Sequence, residues 1–169
     1  MTDRQLINLA EQASRNAYVP YSHFAVGAAL ECRDGTVFTG CNIENAALGS
    51  TICAERTAAC KAISEGRRDF VRIAVYGDGE HYCYPCGACR QFLAEFAPDM
   101  EVLSAMGGGR YVSNRLSELM PYTFNYSGIR HGTRTTAHLL HRRRLPQLHP
   151  RGKAALCQPF DHQPRRVRP

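Results

Sequence analysis

Apolar positions in the first part of the chain recur with a helical period. Leu6, Leu9, Ala10, Ala13 and Ala17 fall on one face between Thr2 and Tyr18, with Thr2 or Asp3 as N-cap and Pro20 as the stop. The period then changes. His23 to Cys32 is almost continuously apolar and predicts a strand covered on both faces. Asp34-Gly35 supplies a hairpin turn, and Thr36 to Asn42 returns as its partner. Residues 43–52 carry no clean period and predict a loop. From Cys53 the helical period resumes, with Ala54, Thr57, Ala58, Lys61 and Ala62 on one face and Gly66 as the C-terminal stop. Val71 to Tyr76 predicts a short buried strand, Cys86 to Phe96 a helix ended by Pro98, and Glu101 to Ser104 a strand. A turn at 107–109, a strand at 110–113 and a short helix at 116–120 complete the pattern. The order α-β-β-α-β-α-β-β-α predicts an α/β domain with one mixed sheet and helices on its faces.

After about Gly128 the periodicity vanishes, which predicts a domain at 1–128 and an appendage at 129–169. Charge divides at the same point. Residues 1–128 hold 11 Lys+Arg against 14 Asp+Glu, a net −3, whereas 129–169 hold 10 against 1, a net +9. The basic sequence therefore describes the appendage and not the domain. The appendage reads as a solvated disordered extension, as a polyanion-binding segment through Arg142–Arg144 and Arg165–Arg166, or as an out-of-frame stretch of GC-rich coding sequence. Hydrophobic residues make up 44% of the chain, yet no run of 18 apolar residues occurs. That predicts a domain with no transmembrane helix, and the N-terminus has no signal-peptide pattern, so a cytoplasmic location is expected.

The eight cysteines sharpen the chemistry. In a protein without a secretory signal, metal binding or catalysis outweighs a disulfide framework. Cys86-Gly87-Ala88-Cys89 follows Pro85 at the start of one predicted helix, and Cys53 opens another 33 residues earlier, two positions before Glu55. Three thiolates at two helix N-termini fit one tetrahedral zinc with its fourth position open, as in a catalytic site. Three thiolates and Zn²⁺ sum to −1. The two helix N-termini and Arg56, which can donate to a ligand sulfur, offset part of that charge. Cys32, Cys41 and Cys60 read as small core residues, Cys83 as incidental, and Cys157 has no assigned partner.

The segments VPYSHFAVGAAL (19–30), TGCNIENA (39–46), CAERTA (53–58) and PCGACRQ (85–91) together resemble the short, homotetrameric, zinc-dependent cytidine deaminases. The resemblance runs from about Tyr18 to Phe124. It implies a three-layer α-β-α fold with a mixed five-stranded sheet, one zinc per subunit on Cys53, Cys86 and Cys89, and hydrolysis of cytidine and deoxycytidine to uridine and deoxyuridine. In the chemistry of zinc deaminases, zinc hydroxide attacks C4 of the cytosine ring and Glu55 shuttles protons. The resemblance also implies Phe24 beside the pyrimidine, Asn42 and Glu44 on the ribose, and the Ala54 backbone as donor to the base. It implies that Phe124 reaches a neighbouring subunit's pocket. Leu48 stands where many relatives carry Tyr, and short members end soon after the Phe124 position. Three other readings stay open. They are a deaminase of another cytosine-containing small molecule such as an aminoacyl-nucleoside antibiotic, a polynucleotide deaminase suggested by the basic appendage, and a zinc module without catalysis. The Asn42-x-Glu44 pair favours an unmodified sugar, and a Cys rather than His first ligand favours a free nucleoside.

Overall fold

The computed structural model describes residues 1–125. The chain divides into a unit Met1–Gly128 and a second unit Ile129–Pro169. The predicted basic appendage, with its arginine runs and Cys157, lies outside the described residues.

The first helix, α1 (Asp3–Ser14), begins at a Thr2 N-cap. The Thr2 hydroxyl accepts from the Gln5 N–H, and the Gln5 side chain accepts from the Thr2 N–H. This reciprocal pair satisfies two otherwise orphaned donors, worth about 1 kcal/mol. The helix stops four residues before Tyr18, the predicted end. Next come β1 (Val26–Cys32) and β2 (Val37–Cys41), then a loop with a single 3₁₀ turn at Leu48–Ser50. The remaining elements are α2 (Ala54–Ser64), β3 (Phe70–Gly77), α3 (Gly87–Ala94), β4 (Glu101–Met106), β5 (Arg110–Arg115) and α4 (Leu116–Leu119). The predicted order therefore holds. Helix α2 closes as the sequence suggests: Gly66 takes φ 83°, its N–H bonds the Ile63 carbonyl, and the Arg67 N–H bonds the Ala62 carbonyl.

The five strands form one sheet in the order β2-β1-β3-β4-β5. Only the β3–β4 pair is parallel; the other three pairings are antiparallel. Helix α1 covers one face over Leu6, Ile7, Ala10, Ala29, Ala74 and Leu103. The opposite face carries α2 and α3 over Ala28, Leu30, Ile73, Val75 and Val102. Helices α1 and α2 lie close enough to touch the strand backbone. A methyl added at Gly27 would stand 1.9 Å from the Ala10 carbonyl oxygen, and one at Gly40 2.5 Å from the Ala58 nitrogen. No side chain fits at either position without displacing a helix.

Two details differ from expectation. The buried face of α2 is Ala54, Glu55, Ala58, Ala59 and Ala62, rotated from the predicted stripe. An alanine-rich helix carries little amphipathic signal, so packing against β2 chose the face. As a consequence Lys61 lies outside, with Nζ on the Thr39 carbonyl at 2.6 Å, and Cys60 is exposed rather than a core residue. Cys32 is buried as expected. Cys41 is only half-buried, with its Sγ 3.3 Å from the Asn16 carbonyl oxygen.

Candidate metal centre and active site

Sheet topology brings the three cysteines together. Strands β2 and β3 both run antiparallel to β1, so they point the same way, and each is followed by a helix on the same face. The N-termini of α2 and α3 therefore emerge at one end of the sheet, outside the carboxyl ends of the strands that precede them, where α/β folds gather ligands. Cys53 is the N-cap residue of α2 and Cys86 the N-cap residue of α3. Cys89 sits one turn into α3 and is buried.

The three Sγ atoms lie within 4.8 Å of one another, with Cys53 and Cys86 3.8 Å apart. Zinc–sulfur bonds of about 2.3 Å in a tetrahedron place sulfurs roughly 3.8 Å from each other, so the donor set fits zinc in both chemistry and spacing. Among the described residues no other group of three such donors converges. Hydrogen bonding from Cys89, and then from Arg56, holds the Cys53 thiol well below its ordinary range, at about 5, against the opposing effect of burial. The same shared bond, together with burial, pushes Cys89 up. Three thiols this close ionise together only beside positive charge. Part of that charge is Arg56, whose Nη2 lies 3.7 Å from the Cys53 Sγ and 3.0 Å from the Thr51 carbonyl oxygen.

Glu55, in the first turn of α2, is 3% exposed. Burial raises its carboxyl to about 7, with the charge of Cys53 adding to the shift. A carboxyl poised near neutrality, two residues from a member of the cysteine cluster, can both take and give a proton. Ala54 beside it is fully buried, and its N–H, at the first helical position, has no intrahelical acceptor.

The remaining predicted residues form the rim. Asn42 spends its amide on the backbone: Nδ2 donates to the Phe24 carbonyl at 2.9 Å, and Oδ1 accepts from the Val26 N–H at 2.9 Å. Glu44 accepts from the Tyr21 and Ser22 N–H groups through Oε2, at 3.0 and 3.2 Å. These bonds, with the Ser22 side chain foremost, hold its carboxyl below the usual range. Both side chains thus organise the turn that carries Phe24, which is 40% exposed. The spacing of Asn42 and Glu44 carries no sign of this clamp, because it depends on a turn some 20 residues away. Leu48 is 75% exposed and Phe124 60% exposed.

Two residues inside the quoted motifs acquire roles that spacing did not suggest. Arg90 Nε donates to the Pro85 carbonyl at 2.7 Å, and Nη1 donates to the Leu119 carbonyl at 2.9 Å. Gln91 pairs with the Phe124 backbone twice: Nε2 donates to its carbonyl at 2.8 Å, and Oε1 accepts from its N–H at 3.1 Å. Helix α3 thereby holds the segment that bears Phe124. Gln91→Ala is expected to accelerate amide exchange at Phe124 roughly five- to tenfold, the effect of losing about 1 kcal/mol of hydrogen bonding. An unchanged exchange rate at Phe124 would show that the tether lies elsewhere.

Residues 1–105 match the family model described as the cytidine and deoxycytidylate deaminase zinc-binding region. The chain is similar to a cytidine deaminase of Halalkalibacterium halodurans, 55% identical over 124 residues that span 72% of this chain and 94% of the relative. It is similar to a blasticidin-S deaminase of Bacillus cereus at 33% identity, over 73% of this chain and 94% of that one. Among solved structures it is similar to a cytidine deaminase from Burkholderia pseudomallei, with a TM-score of 0.71 and 45% identity, covering 73% of this chain and all of the other.

Proposed function

Since the chain belongs to the cytidine and deoxycytidylate deaminase zinc-binding family, we propose that it hydrolyses the exocyclic C–N bond of cytidine and deoxycytidine, giving uridine or deoxyuridine and ammonia. The observation that carries this reading is the convergence of Cys53, Cys86 and Cys89 beside the buried Glu55. Cys53, Cys86 and Cys89 would hold the zinc, which would supply the Lewis acidity that makes water a nucleophile near neutral pH. Glu55 accepts the proton of that water, delivers it to N3 of the base as oxygen adds at C4, and then helps protonate the departing amino group. One carboxylate acts as base and then as acid, which suits a group held near pH 7. Arg56 offsets thiolate charge, so Cys53 stays a metal ligand without cancelling the metal's acidity.

Around the base, Phe24 lies beside the pyrimidine and the Ala54 N–H donates to it. Asn42 and Glu44 meet the ribose with the bonding capacity their clamp leaves over; Glu44 Oε1 is the oxygen not engaged by Tyr21 and Ser22. Phe124 completes the pocket of a neighbouring subunit in a homotetramer. Residues 1–128 are the catalytic domain, acting in the cytoplasm. Among the described residues no helix is long and apolar enough to cross a membrane.

Conversion of cytidine to uridine by zinc-replete protein, followed by ultraviolet absorbance, tests the reading. Cytidine and deoxycytidine should both turn over, while adenosine and single-stranded DNA should not. Faster turnover of blasticidin S than of cytidine would move the substrate to an aminoacyl-nucleoside, and no turnover of either would overturn the proposal. Light scattering on the same preparation sizes the assembly, and a fully active monomer would remove Phe124 from a shared site.

A further inference from the structure

The Phe24 ring rests on a surface kept bare of side chains. A methyl added at Gly77, the last residue of β3, would stand 2.8 Å from Phe24 Cζ, and one at Gly79 would stand 3.1 Å from Phe24 Cε2. Neither glycine takes a positive φ. Backbone conformation therefore does not require glycine at either position, and close approach of the ring does. The same added methyl at Gly77 would lie 3.0 and 3.1 Å from Cβ and Sγ of Cys83, so ring and thiol meet over this one residue. Cys83 packs against the core on the α2/α3 face. Burial, with the charge of Glu55 adding to it, pushes the Cys83 thiol up to about 12. From the other side, Asn42 grips the Phe24 carbonyl and the Val26 N–H, and His23, at φ 56°, sets the direction in which the next residue leaves the turn. The ring is thus held by its backbone above and seated on glycine below.

We infer that Gly77 and Gly79 are positioning residues for substrate: they form the seat that sets how far the Phe24 ring reaches into the slot that receives the flat base. This rests on the reading that Phe24 lies beside the pyrimidine. Carbon atoms in comfortable contact stand about 3.5–4.0 Å apart, so a methyl at Gly77 forces the ring to move by about 1 Å. Asn42 fixes the backbone, so the ring has to swing rather than retreat as a unit. A displacement of that size at a binding wall narrows or tilts the slot. Errors of about 1 Å can cost up to roughly 100-fold in catalytic efficiency. The metal ligands and Glu55 lie on other elements and keep their places, so the loss falls on KM.

The test is a double-mutant cycle in the full chain, with zinc content and melting temperature measured on every variant. Gly77→Ala is expected to raise KM for cytidine at least tenfold, with kcat within threefold of the parent and zinc unchanged. In a Phe24→Leu background, which lacks Cζ, the same substitution should add less than twofold. An equal penalty in both backgrounds would assign the effect to Cys83 or to the fold and overturn the inference. So would a KM within twofold of the parent. Should Gly77→Ala fold poorly, Gly79→Ala decides, because all three atoms nearest its added methyl belong to the Phe24 ring. A KM increase of about threefold supports the seat, and none overturns it. A readout free of activity separates this inference from the assigned reaction. In protein carrying isotopically labelled phenylalanine, the Phe24 ring resonances, identified by their loss in Phe24→Leu, should shift in Gly77→Ala without substrate. A shift in a protein inactive on cytidine would refute the reaction and keep the seat; an unmoved ring would refute the seat whatever the activity.

Discussion

Glu55→Gln is expected to abolish nearly all turnover while leaving zinc content and fold in place. Glutamine keeps the size of the side chain and much of its hydrogen bonding, so the substitution removes a proton carrier and little else. A positioned acid–base group contributes about 10²–10⁴-fold, and Glu55 is asked to act in more than one transfer, so the loss should approach the upper end. Stability should move the other way or not at all. The carboxyl is 3% exposed and burial raises it to about 7, so keeping it charged in the interior costs free energy that a neutral amide avoids. If Glu55 served only to complement the dipole of α2, worth about 0.3–1 kcal/mol, Gln would lower the melting temperature slightly and leave the rate of the folded protein intact. Turnover, melting temperature and zinc on one preparation separate the two roles. A rate within tenfold of the parent would remove Glu55 from the mechanism.

The second large effect is metal loss. Cys86→Ala should reduce bound zinc from about one per chain to a small fraction, and activity should fall in proportion. Of the three candidate ligands, Cys86 gives the cleanest test. It is exposed, so its truncation leaves no cavity, whereas Cys89 is fully buried and its alanine variant mixes ligand loss with a packing defect. Even an outer-shell partner is worth about 10–100-fold in metal affinity, so a lost thiolate should cost more than that. Cys32→Ala, in the core but away from the cluster, should keep its zinc while losing some stability. Full zinc retention by Cys86→Ala, measured by elemental analysis after dialysis, would show that the cluster is not the metal site.

What the sequence determined by itself was local. Helix α1 starts where Thr2 and Gln5 can cap each other, α2 ends where Gly66 can turn left-handed, and Pro20 and Pro98 each follow the end of a helix. Strands β1, β3 and β4 announced themselves by apolar stretches and β2 and β5 by the turns before them, and the sum of these signals specified a mixed α/β sheet in the observed element order. The candidate metal-binding cysteines were also visible, because Cys53 and the Cys86/Cys89 pair sit at predicted helix starts and their chemistry restricts what they can do together. Tertiary structure decided everything that depends on a partner distant in the chain. Placing β1 between β2 and β3 makes two helices start at the same end, and that alone brings Cys53 within 3.8 Å of the Cys86 sulfur across 33 residues. Packing on β2 turned α2 so that Glu55 faced inward and Cys60 outward, a choice its alanines left nearly free. The clamp of Asn42 on the Phe24 turn, the tether of Gln91 on Phe124 and the glycine seat beneath the ring are likewise long-range. Residue type and spacing along one strand or helix carry no record of them, because the energy of such a contact resides in two segments at once and exists only after the sheet has joined them.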